Sequence, residues 1–163
     1  MDTNPITKQT EQILIDGYER FYRLAYSYVQ DRDSALDVVQ NSICQALEKC
    51  WGLRNPAAMK TWFYRIVVNE SMAFLKKNRR EIPTEDGFAA EIPYYEAGYE
   101  AEGDIYEEIN RMELDVQNIM KLRFYEELSL KEIAEITRMN LNTVKAKLYR
   151  GLKLLKLNIQ EVE

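Results

Sequence analysis

Apolar residues return at helical spacing through most of this chain, and the pattern predicts helices rather than strands. Tyr18, Phe21, Tyr22, Ala25 and Val29 mark the buried face of a first helix. A polar break from Asp31 to Ser34 follows, where Asp33 or Ser34 can cap the next helix. That second helix is expected to bury Val39, Ile43, Leu47 and Cys50 and to show Asp37, Gln40, Asn41, Gln45 and Glu48 on its other faces. A third runs from about Met59 to Arg80, with Trp62 and Ile66, four apart, predicted to face the core. Near the C-terminal end, Ser129 and Glu132 have capping-box spacing. Leu130, Ile133, Ala134 and Thr137 then share one helical face, and Val144, Leu148, Leu152 and Leu155 form the stripe of another helix.

Those last two helices form a hairpin whose second member is basic on its outer side. From Arg138 to Lys156 there are six basic residues and no acidic one, although the whole chain carries 22 Lys+Arg against 27 Asp+Glu. Opposite the apolar stripe lie Asn142, Ala146, Tyr149 and Lys153, flanked by Lys145 and Arg150. Amide, aromatic and cationic groups so placed suit base edges with phosphates on either side. A plain helical hairpin with a solvated basic face is the bland alternative, and the absence of acids favours DNA.

Charge divides the chain into three. Residues 1–80 carry a net +3, residues 81–104 hold eight acids and no base, and residues 105–163 balance at ten and ten. The middle piece also has two Pro and three Gly, and it reads as an acidic linker between two helical domains. It is either a solvated spacer or an acidic strand that mimics nucleic-acid charge. In the third predicted helix Lys60, Arg65, Lys76, Lys77, Arg79 and Arg80 stand against one acid, Glu70, with Trp62, Phe63, Tyr64 and Phe74 among them. Aromatics beside cations suit unpaired bases and their backbone. The alternative places these aromatics in the core.

With 46% hydrophobic and 30% charged residues the composition is that of a globular protein, and only 6 Gly and 4 Pro argue for an all-α fold. The polar start is not a signal peptide, and no run is long enough to span a membrane, so a cytoplasmic location is expected. Cys44 and Cys50 read as buried small apolar groups, and the chain has no His, so neither a metal site nor a cofactor is implied. No phosphate loop or nucleophile elbow is present, and no enzymatic activity is expected.

Three segments carry a resemblance. FYRLAYSYVQDRDSALDVVQNSI, TWFYRIVVNESMAFLKKNRR and LRFYEELSLKEIAEIT…NTVKAKLYRGLKLL, in that order, resemble the sigma-2 helices, the promoter-melting segment and the sigma-4 helix-turn-helix of extracytoplasmic-function (ECF) sigma factors, in the sigma-70 superfamily. The C-terminal wording and RNPAAMKTWFYRI are closest to its sigma-V-type subfamily. The resemblance implies a sigma-2 domain at 1–80, the acidic linker at 81–104 and a sigma-4 domain at 105–163. It implies that Asp37, Gln40 and Asn41 contact core RNA polymerase. Leu53, Lys60, Asn69, Lys76, Arg79 and Arg80 would serve the minus-10 element, with residues 53–60 pocketing an extruded base. Asn142, Thr143, Lys145, Ala146, Lys147, Tyr149 and Arg150 would serve the minus-35 element.

The implied function is an alternative sigma factor that directs core polymerase to promoters, in a stress or envelope response. A membrane-anchored anti-sigma factor is the implied regulator. Relatives often carry an acid at the position of Asn41, a small polar residue at Ala146, Arg at Lys147 and Gly at Arg138. Arg138 is therefore expected to take a left-handed backbone at a cost of about 1 kcal/mol. A stand-alone helix-turn-helix regulator and a protein-binding adaptor are the rival readings. The basic-aromatic segment counts against the first, and the basic recognition face against the second.

Overall fold

A computed structural model describes residues 5–53, 55–81 and 103–162. The described residues are helical, without a strand, and fall into two units, one within Met1–Pro93 and one within Tyr94–Glu163. The all-α expectation is met. Most of the acidic segment 81–104, and the side chains of Arg79 and Arg80, lie outside the described residues.

The first unit is built from α1 (Pro5–Val29), α2 (Arg32–Lys49) and α3 (Met59–Glu81), with each helix packed on the other two. Helix α1 begins well before the segment in which the sequence pattern announces it. Pro5 suits a first helical position, and Thr10 is buried in this early part, donating to the Ile6 carbonyl at 2.7 Å.

The buried stripe of α1 is Leu14, Gly17, Phe21, Leu24, Ala25 and Tyr28. This corrects the expected stripe: Phe21 and Ala25 hold, Tyr22 and Val29 are half-buried, and Tyr18 is 38% exposed. Phe21 sets the rotation. Its ring meets Phe63 and Tyr64 of α3 edge-on, at centroid distances of 4.5 and 5.1 Å. The ring lies over the preceding turn, as helical aromatics do, and a Cβ at Gly17 would sit 2.7 Å from it.

Helix α2 is rotated in the same way. Ala35, Val38, Val39, Ser42 and Ala46 are buried, whereas Ile43 is half-buried and Leu47 is 36% exposed. Small residues let α2 approach its neighbours closely, so the contact runs along them. The cap is Asp31, not Asp33 or Ser34: its carboxylate accepts from the Ser34 amide at 2.9 Å and the Ser34 hydroxyl at 2.7 Å. Cys50 is fully buried, as expected, but Cys44 is exposed. Six residues, about 240° of helical turn, separate the two.

The second unit comprises α4 (Gly103–Arg111), α5 (Leu114–Phe124), α6 (Leu130–Thr137) and α7 (Leu141–Val162). Helix α5 is its centre, buried from Val116 to Leu122, with α4, α6 and α7 packed on it. One of the buried residues is a lysine. Lys121 is fully buried and donates to Gln117 Oε1 at 2.8 Å, and burial pushes its ammonium pKa well below the usual lysine value.

Candidate nucleic-acid and protein interfaces

The hairpin of the second unit is specified locally. Ser129 Oγ accepts from the Glu132 amide at 3.1 Å, and Glu132 Oε1 accepts from the Ser129 amide at 2.9 Å, which completes the expected capping box. Helix α6 ends at Arg138, which is left-handed (φ 58°, ψ 33°), as its place in the turn requires. Asn140 then starts α7. Its side-chain oxygen accepts from the Asn142 amide at 2.7 Å, and its carbonyl accepts from the Val144 amide at 2.9 Å. Sequence reasoning passed over this cap, although Asn two residues before NT was its signal.

Helix α7 buries Val144, Leu148 and Gly151. A Cβ on Gly151 would fall 2.6 Å from Met120 Sδ and 3.1 Å from Val116 Cγ1, so α5 and α7 touch at this glycine. The expected stripe is corrected there. Leu152 is 37% exposed and Leu155 half-buried, because Gly151 takes the contact. Asn142, Thr143, Lys145, Ala146, Tyr149 and Arg150 are all exposed, Tyr149 at 67%. The outward face therefore offers an amide, a methyl, an aromatic ring and cations on a rigid helix. Lys147 is half-buried and turned to the flank, 3.8 Å from Asp115, and Arg150 lies 3.8 Å from Glu113.

In the first unit, Asp37, Gln40 and Asn41 are exposed together on α2, opposite the face packed on α1 and α3. Cys44 and Glu48 continue the same exposed face at helical spacing. No local motif marks Cys44 as part of this face. Asp31, the cap at the start of α2, is held below its ordinary carboxylate pKa by the Ser34 hydroxyl and amide bonds.

Helix α3 divides its expected site residues. Asn69 and Lys76 are exposed and seven apart, on one side. Lys60 is exposed too, but nine residues from Asn69, about 180° of turn, put it on the opposite side. The half-buried Trp62 and Arg65 belong with Asn69 and Lys76 by the same periodicity, so Trp62 does not join Ile66 in the core. Phe63 and Tyr64 are the core aromatics, 1% and 0% exposed, which removes them from any stacking role. Glu70, half-buried, accepts a hydrogen bond from Gln45 of α2, so it turns away from the Asn69 side.

The described parts of the connection before α3 are two short turns. A 3-10 turn at Cys50–Gly52 ends on Leu53, which is half-buried and donates its amide to the Cys50 carbonyl at 3.1 Å. A second, Pro56–Ala58, starts at Asn55, whose side chain accepts from the Ala57 amide at 3.0 Å. Buried Cys50 and Met59 anchor the two ends. Trp51 stands out of this loop at 63% exposure, an aromatic that sequence reasoning missed. Its signal was a Trp beside Gly just past a helix end.

The two helical units coincide with the two regions of a sigma-70-type initiation factor. The description Sigma-70 region 2 matches residues 14–81, and Sigma-70, region 4 matches residues 102–155. The chain is 40% identical over 157 residues to RNA polymerase sigma factor SigV of Bacillus subtilis (strain 168), covering 93% of this chain and 95% of that one. It is 27% identical over 168 residues to the ECF RNA polymerase sigma-E factor of Haemophilus influenzae, covering 94% and 89%. The solved structure of sigma factor RpoE with anti-sigma factor NepR from Bartonella quintana shares the fold, with a TM-score of 0.74 at 22% identity over 92% of this chain and 96% of that one. The chain belongs to the ECF family of RNA polymerase sigma factors. It is an alternative sigma factor, acting in transcription initiation. No helix among the described residues is long and apolar enough to cross a membrane.

Proposed function

We propose that the two units divide promoter recognition between them. The first, residues 1–80, docks on core RNA polymerase through Asp37, Gln40 and Asn41. It takes the opening minus-10 element with residues 53–60 and the Asn69–Lys76 side of α3. The second, residues 105–163, reads the minus-35 element with the outer face of α7, and residues 81–104 link the two. The subunit supplies specificity and no chemistry of its own. It works in the cytoplasm, in a stress or envelope response, held by a membrane-anchored anti-sigma factor. The complex of RpoE with the anti-sigma factor NepR supports an anti-sigma partner.

One observation carries this reading. Asn142, Lys145, Ala146 and Tyr149 are exposed on a helix whose other side is buried at Val144, Leu148 and Gly151, with Gly151 against Met120 and Val116 of α5. Such a helix can enter a major groove without losing its packing. The test is transcription by reconstituted holoenzyme on promoters altered base by base upstream. Tyr149→Ala and Arg150→Ala are expected to change activity and base preference in the upstream element. If both leave activity and preference untouched, α7 is not the reader. In parallel, Asp37→Ala with Gln40→Ala is expected to weaken core binding in a competition assay while thermal unfolding stays the same. Undiminished binding sinks the docking face.

A further inference from the structure

Glu113 occupies the cap position of α5, yet its carboxylate makes no capping hydrogen bond. Instead it lies 3.8 Å from the Arg150 guanidinium, across on α7. Two residues on, Asp115 lies 3.8 Å from Lys147 Nζ. Lys147 and Arg150 are three apart, so the start of α5 sets two carboxylates against one edge of the candidate reading helix. We propose that Glu113 and Asp115 are specificity-determining residues that hold Arg150 and Lys147 at the flank of α7 and keep phosphate from capturing them on non-cognate DNA. The proposal rests on α7 being the minus-35 reader.

A guanidinium on a flexible stem finds a phosphate on any duplex, and each phosphate neutralised adds affinity without sequence information. A carboxylate beside the guanidinium offers a competing partner and repels the backbone. On the cognate site, base contacts offset that repulsion; on other sequences nothing does. The acids therefore lower non-cognate binding more than cognate binding. Both pairs are largely exposed: side-chain exposure is 60% and 67% for Arg150 and Glu113, and 26% and 58% for Lys147 and Asp115. Exposed pairs are weak, so each should be worth no more than about a threefold change. Asp115 also stands in the first turn of α5, where an acid favours the helix. Glu113→Gln is consequently the cleaner probe.

Holoenzymes carrying E113Q, D115N, both, and E113D are compared with the unaltered chain. Binding and transcription are measured on a promoter with its upstream element intact and with it scrambled, across a salt series. E113Q with D115N is expected to raise binding to the scrambled promoter several-fold, with cognate binding changed less than twofold. The salt slope should steepen by roughly one for each phosphate newly engaged. E113D, which keeps the charge, should keep most of the discrimination. A cognate-to-scrambled ratio and salt slope that stay the same, with Arg150→Ala impaired, overturn the proposal alone. Equal loss on both promoters together with a lower unfolding temperature makes the acids structural and also overturns it. If Arg150→Ala has no effect on any promoter, the reading of α7 falls, and this proposal falls with it.

Discussion

Helices α3 and α7 have similar wording, with aromatic residues set among cations, yet they use their aromatics in opposite ways. In α3, Phe63 and Tyr64 are 1% and 0% exposed, and Phe21 closes on both. In α7, Tyr149 is 67% exposed, and the inner side is held by Val144, Leu148 and a glycine. The first unit thus packs rings into its core, and the side of α3 that carries the exposed Asn69 and Lys76 is narrow. The second leaves its ring outside, because Gly151 brings α7 so close to α5 that no large side chain is needed there. A basic-aromatic run is therefore not a nucleic-acid signature until the partner of each ring is known.

The largest effect should come from breaking that contrast at the ring. Phe63→Ala removes a buried aromatic and is expected to destabilise the first unit by about 3–5 kcal/mol. Tyr149→Ala, exposed on a helix face, should change stability by less than about 0.5 kcal/mol. Thermal unfolding of the two variants checks the pair. Similar losses would mean that Tyr149 packs in solution and is no reader.

Next comes Arg150→Ala. If its guanidinium contacts a base with two hydrogen bonds, transcription from the cognate promoter should fall by the equivalent of about 1–3 kcal/mol, and preference at that base should relax. A loss of equal size on every promoter would make it a phosphate contact only.

The hairpin of the second unit was legible because local chemistry specifies it. Ser129 and Glu132 close their box within four residues, and Arg138 takes the left-handed turn its place demands. The same holds for the outward set on α7, where the absence of acids is visible in the letters. The helix stripes were less legible. Ala35, Ser42, Ala46 and Gly151 occupy closest contacts while Leu47 and Leu152 stand partly outside. Hydrophobicity ranks leucine above glycine, but backbone approach favours the smaller residue, and only the partner helix decides. The resemblance assigns Lys60 and Asn69 to the same promoter element, and the helical period puts them on opposite sides of α3. Lys121 escaped notice because nothing local marks a lysine as buried.

That lysine sharpens the comparison through pH. Among the described residues, the buried polar groups of the first unit are the neutral Thr10, Ser42 and Ser71, whereas the second buries Lys121. With its pKa lowered in the folded state, Lys121 holds fewer protons there than in the unfolded chain between the two pKa values. Its contribution to stability is therefore fully present above the unfolded value of about 10.5 and is lost as pH falls through the depressed folded value. The second unit should gain stability on mild alkalisation, and Lys121→Met should flatten that rise. Denaturant midpoints across pH test it, and a rise that persists in Lys121→Met assigns the effect elsewhere.

The smallest difference separates the two helix caps. Asp31 starts α2 and Asn140 starts α7, each accepting an amide two or three residues on, at 2.9 and 2.7 Å. Replacing either with Ala should cost about 1 kcal/mol. Only Asp31 titrates. Its pKa is lowered by the Ser34 hydroxyl first and the Ser34 amide second, so the cap is at full strength above the unfolded carboxylate value and fades as pH falls through the depressed folded one. Because Asp31 is exposed, solvent screening keeps this effect small. Amide hydrogen exchange resolves it: after correction for intrinsic rates, protection at Ser34 should weaken on acidification while protection at Asn142 holds. Equal weakening at both would show acid acting through general loosening of the chain. In that case the carboxylate bond that begins α2 is not what responds.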